Sequence, residues 1–177
     1  YGDCSFGLRS QGGRILGIVS ANKIRELAAG TSMRRSKFST NEIDFNIIDW
    51  QSARVRRVVR STYAGESAVA SAAVDNAFAA RAILVEGGWG DKVKVVHTID
   101  AASVIAAVKS AVIPSNDKRT AIDISILKEG EAQGWLHCVW VPTAFQMADG
   151  MTKVQLSLQK MIRAAIQKAT VPLPVKF

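Results

Sequence analysis

Cysteine is scarce in this chain of 177 residues: Cys4 and Cys138 are the only two. Two are too few for a disulfide framework or a cysteine-based metal cluster, and they make a reducing compartment the default. No stretch of about 18 uncharged apolar residues occurs, so a membrane span is not expected. The most apolar segment, Ala64 to Val85, is broken by Glu66, Asp75 and Arg81. No Gly-Lys-Ser/Thr phosphate cradle, internal repeat or low-complexity tract is found, and no secretory signal opens the sequence. Tyr1 stands where a Met would be expected, so the chain reads as a fragment of a longer product.

Acid is also short relative to base. Asp+Glu number 15 against 23 Lys+Arg, leaving a net charge of +8. The excess is concentrated early, with 11 basic and 5 acidic residues in 1–60. A basic region favours a polyanionic partner, most simply nucleic acid, because neutralising phosphates releases counterions. Apolar residues make up 48% and charged residues 21%, which is ordinary globular usage, and the length suits one domain with a single core.

Along the chain, residues 1–6 would hold a clipped first strand, and Gly12-Gly13 leads into a β run over Arg14 to Val19. Residues 20–44 read as a long loop, with a short helical turn near Ile24 to Ala28 and a basic Arg34-Arg35-Ser36-Lys37. Phe45 to Trp50 is the next strand. Ser61-Thr62 can cap a helix running to Leu84, stopped by Gly87-Gly88. Lys92 to Ile99 is a strand, Ala101 to Ser110 a helix, Pro114 to Asp117 a turn and Arg119 to Ala132 a helix. Trp135 to Val141 is the last strand. A helix is expected from Phe145 onward, and Pro172-Leu173-Pro174 closes it with a loose tail. Strands in a run, then alternating with helices, imply a mixed sheet flanked by helices.

Four acids fall near the ends of four different elements. Asp3 lies on the first strand, Glu66 in the first turn of the long helix, Asp100 at a strand-to-helix passage, and Asp149 early in the last helix. Carboxylates from separate elements are what a hard divalent ion requires.

Local sequence gives these acids a context. Trp50-Gln51-Ser52 leading through Arg60-Ser61-Thr62 to Glu66 resembles the strand-to-helix passage of the ribonuclease H domain of copia-type LTR retrotransposon polyproteins. Val96-His97-Thr98-Ile99-Asp100 is similar to that family's third-acid strand end, and Arg119-Thr120-Ala121-Ile122-Asp123-Ile124 to its Arg-Thr-Lys-His-Ile-Asp-Ile. Val141-Pro142-Thr143-Ala144-Phe145-Gln146-Met147-Ala148-Asp149-Gly150-Met151-Thr152-Lys153 resembles its Val-Pro-Thr-x-x-Gln-x-Ala-Asp-x-Leu-Thr-Lys block, the most specific of the set. Asp3-Cys4-Ser5-Phe6 resembles its start. The matching segments span residues 1–153 in order.

The resemblance implies a ribonuclease H-like α/β fold: a five-stranded mixed sheet flanked by helices on both faces, over residues 1–165, with 166–177 as a C-terminal tail. It implies hydrolysis of the RNA strand of RNA–DNA hybrids by an endonuclease holding two Mg²⁺ ions, with Mn²⁺ as a possible substitute. Asp3, Glu66, Asp100 and Asp149 would be the catalytic, metal-binding acids. The partners implied are the hybrid and an upstream reverse transcriptase domain in the same polyprotein, with no membrane. The setting would be intracellular, in a cytoplasmic particle or the nucleus. Three departures bear on activity: Ala121 replaces the family's His, Ala101 the Asn after the third acid, and Ser67 the Tyr after the Glu. They leave a second expectation, a catalytically decayed domain keeping only nucleic-acid binding or a scaffold role.

Arg54, Arg56, Arg57 and Arg60 precede the acid-bearing helix and are candidate phosphate contacts, which position a duplex without reading sequence. His97 and His137 read as structural, Cys4 and Cys138 as buried thiols, Trp50, Trp135 and Trp140 as core or strand-face residues, and Asp123 as a helix-surface or capping acid.

Overall fold

Residues 2–5, 10–20, 38–113, 117–153 and 156–176 are described by a computed structural model of the protein. The fold is mixed α/β. Strand β1 (Gly2–Ser5) pairs antiparallel with β2 (Gln11–Ile18), and β2 with β4 (Asn46–Arg54), giving a sheet in the order β1-β2-β4. A second sheet joins β3 (Phe38–Asp44) to β7 (Thr170–Lys176), antiparallel. A third holds β5 (Val95–Ile99) and β6 (Leu136–Trp140), which run parallel and are joined by the helical crossover that parallel neighbours need.

Five α-helices complete the described residues: α1 (Thr62–Leu84), α2 (Ala102–Lys109), α3 (Lys118–Ala132), α4 (Asp149–Thr152) and α5 (Leu156–Lys168). Adjacent glycines of β2 show that helices cover both faces of its sheet. A Cβ at Gly12 would point into Val69 of α1, whereas one at Gly13 would lie 2.7 Å from the Ala148 carbonyl beside α4. Successive strand residues face opposite ways, so α1 and α4 lie on opposite sides. Both approaches are closer than any Cβ would permit.

Two apolar clusters form the core. Ala70 and Val74 of α1 pack with Ile99, Val104, Ile105, Ile124, Leu127 and Leu136 on one side. Ile15, Ile43, Phe45, Met147, Ala165 and Val171 form the other, with the Phe45 ring lying across Gly17. The buried face of α1 is made of Ala, Gly, Ser and Val, small residues that let the helix sit close to the strands beneath it. By length and composition alone Thr62–Trp89, with a mean hydropathy of 1.4, is long and apolar enough to cross a membrane, which its charges had argued against. In the fold it packs against β1, β2, β5 and α3, and a core helix passes the same test.

Three expectations are corrected. The loop assigned to 20–44 contains β3 from Phe38; its earlier part, including the turn near 24–28, lies outside the described residues, as does the turn at 114–116. Of the tail expected at 166–177, residues 166–176 are not loose, since α5 runs to Lys168 and β7 then pairs along the whole of β3. Prolines two apart lose their donors on the same edge of a strand, so Pro172 and Pro174 leave the edge facing β3 able to pair. The helix expected from Phe145 is three pieces: a 3₁₀ turn Thr143–Phe145, α4 and α5.

Candidate functional site

β1 is the hub on which the acid-bearing elements meet. Asp3 stands opposite Gly13 in the β1–β2 register, and α1, α4 and β5 all pack against β1. Asp3 is described by its backbone.

Glu66 is delivered by the start of α1. Ser61 caps that helix, its Oγ accepting from the Ala64 N–H at 3.1 Å, which satisfies one of the orphan donors of the first turn. Gly65 is pressed onto β1: a Cβ there would stand 2.9 Å from the buried Cys4 Sγ. The next residue, Glu66, is half-buried.

Asp100 follows β5 directly and is also half-buried. Its carbonyl accepts from Trp140 Nε1 at 3.0 Å, fixing the strand end against β6. Asp149 opens α4 and is fully buried. Its Oδ2 lies 2.8 Å from Lys153 Nζ one turn later, so a cation already balances this carboxylate. α4 itself is held to the sheet by Ser52, whose Oγ donates to the Met151 carbonyl at 2.6 Å and accepts from Gln11 Nε2 at 2.8 Å.

The elements that carry the four acids therefore meet at β1. Among the described residues, however, no three His, Cys, Asp or Glu side chains are grouped closely enough to hold a metal ion. The donor chemistry suits a hard cation such as Mg²⁺: all four candidates are carboxylates, and the buried one, Asp149, already accommodates a positive charge beside it.

The arginines divide. Arg54, Arg56 and Arg60 are exposed, while Arg57 is half-buried and forms a hydrogen-bonded ion pair with Asp123 of α3. Asp123 is thus a buried partner of Arg57 and not a helix-surface acid; burial raises its pKa, and the Arg57 bond opposes that rise. Arg14, Arg54, Arg56 and Arg57 line a groove of about 500 Å³ between β2, β4 and α1, with no acid among its described lining residues. Arg14 also reaches Asp49 at 3.8 Å.

His97, Cys4 and Cys138 are buried, as expected, and Trp50 is 62% exposed, on the outer face of β4. Burial holds the His97 imidazole well below its ordinary pKa. Three residues of the site were not singled out from sequence: Arg14, Lys153 and Gln146. Gln146 is fully buried, and its Nε2 donates to the Gly2 carbonyl at 3.1 Å and the Thr98 carbonyl at 3.2 Å. Gln146 and Lys153 both stand at named positions of the Val-Pro-Thr-x-x-Gln-x-Ala-Asp-x-Leu-Thr-Lys block, which was the available signal. Comparison of the chain with protein-family models, with curated proteins and with solved structures finds no match.

Proposed function

We propose that the chain is a ribonuclease H-like domain of a copia-type retrotransposon polyprotein, cleaving the RNA strand of RNA–DNA hybrids with the help of Mg²⁺. The observation that carries this reading is the convergence of α1, β5 and α4, the elements of Glu66, Asp100 and Asp149, on β1, the strand of Asp3. Strand order supports it. Antiparallel β4-β2-β1 and parallel β5-β6 are separate sheets, and β1 packs beside β5 in the order that the expected five-stranded sheet would need.

In that reading Asp3 and Asp100 would hold the ions, with Glu66 and Asp149 as their further carboxylate ligands. Two Mg²⁺ ions, when bound, would activate a water and stabilise the leaving oxygen of the phosphodiester. Lys153 balances Asp149 and has to swing aside as that carboxylate takes a metal. Arg54, Arg56 and Arg60 hold phosphates, and Arg57 fixes the segment between them to α3. Recognition of a hybrid then rests on A-like shape and 2′-hydroxyls, with little base preference.

A second reading, nucleic-acid binding without catalysis, is favoured by the Asp149–Lys153 pair together with the arginine-lined groove, which needs no metal to attract phosphate. A labelled RNA–DNA hybrid with Mg²⁺ separates the two. Cleavage of the RNA strand, abolished by Asp100→Asn, is expected. Salt-sensitive binding without product would leave the second reading, and no binding at low salt would sink both.

A further inference from the structure

We infer that Gln146 is a positioning residue that sets the spacing of the acid-bearing segments through its own hydrogen bonds. Its side chain reaches the Gly2 carbonyl, one residue before Asp3, and the Thr98 carbonyl, two residues before Asp100. Its main-chain carbonyl accepts from the Asp149 N–H at 3.1 Å. One residue therefore touches the backbone of three of the four acid-bearing segments. The assignment of the amide is fixed by its partners: both are carbonyl oxygens, so the NH₂ group must face them.

The position matters because β1 and β5 belong to different sheets. Among the described residues no backbone ladder joins them, and the Gln146 amide spans them instead. Its Oε1 has no hydrogen-bond partner among the described residues, so the side chain is held on its donor side alone. A buried amide in that state is costly, and removing its two donors leaves two buried carbonyls unpaired as well. The strands would then be free to separate slightly, and carboxylates that share ions tolerate little displacement. The clasp itself stands on geometry; its effect on Mg²⁺ rests on the reading proposed above.

The test compares the full chain carrying Gln146→Met, which keeps length and loses both donors, with Leu127→Ala, a cavity-forming change in the core cluster that holds Ile99. Urea midpoints measure how far each is destabilised, and solution conditions are chosen to equalise them. Amide exchange is followed at Cys4 and Ile99, and Mg²⁺ affinity by calorimetry and by half-saturation of hybrid cleavage. Gln146→Met is expected to speed exchange at Cys4 and Ile99 beyond Leu127→Ala and to weaken Mg²⁺ by about 10–100-fold, as loss of a ligand-orienting group does. Equal exchange in the two variants overturns the clasp. Faster exchange with unchanged Mg²⁺ affinity overturns its positioning role. If the unsubstituted chain neither binds Mg²⁺ nor cleaves, the metal-dependent reading falls, and exchange alone decides the clasp.

Discussion

His97 is 3% exposed, its Nε2 has no hydrogen-bond partner among the described residues, and its ring packs on Gly2. Burial depresses the pKa of the folded imidazole, so between that value and the unfolded one the unfolded chain binds a proton that the folded chain does not. Stability contributed by the neutral ring is therefore present above about pH 6.5 and lost as pH falls, by about 1.4 kcal/mol per pH unit until the folded pKa is reached. Urea midpoints at about pH 7 and about pH 5.5 measure this loss, and His97→Leu should reduce it. An identical loss in the variant would refute the assignment. Reading His97 as structural needed only its place in an apolar strand. Pairing Arg57 with Asp123 needed the fold, because the two are 66 residues apart and nothing local distinguishes Arg57 from Arg54, Arg56 or Arg60.

At the scale of elements, β3 and β7 show where sequence reasoning failed. Phe38–Asp44 has polar residues at five of its positions, and Thr170–Lys176 carries two prolines, so neither reads as a strand alone. Each is stabilised by the other, across about 130 residues that no local window sees. The turn into β7 is also unsignalled, since Ala169 takes a left-handed φ of 52° where glycine is usual. By contrast α1, α2, α3, β2, β5 and β6 were legible, because each carries enough apolar residues of its own at the right period. If β7 is integral, Val171→Asp should place an uncompensated charge against Ile43 and Phe45 and cost on the order of 3–5 kcal/mol in a urea titration. A loose tail would tolerate the same change with no shift in midpoint. Of the candidate site, the four acids were readable from their local motifs. Gln146 was not singled out, because its value lies in two carbonyls that are 144 and 48 residues away.

For the whole molecule, the +8 charge acquires a shape. Of the 11 basic residues in 1–60, five lie on described residues: Arg14, Arg54, Arg56, Arg57 and Arg60. The first four line one groove that runs along α1, on the helix that carries Glu66. Their charges are not equivalent. Arg57 is committed to Asp123 and Arg14 is near Asp49, which leaves Arg54, Arg56 and Arg60 as the exposed cations best placed for phosphates. A phosphate contact adds about 0.7–0.9 to the slope of log affinity against log salt. Replacing Arg54, Arg56 and Arg60 together with Gln should therefore flatten that slope by about 2–3 for an RNA–DNA hybrid, followed by fluorescence anisotropy across a salt series. Arg57→Gln should act differently, lowering the urea midpoint by leaving Asp123 unpaired in the interior while changing the slope little. An unchanged slope in the triple variant would remove these arginines from the interface. A full loss of slope from Arg57→Gln alone would place its guanidinium on phosphate and take it off α3.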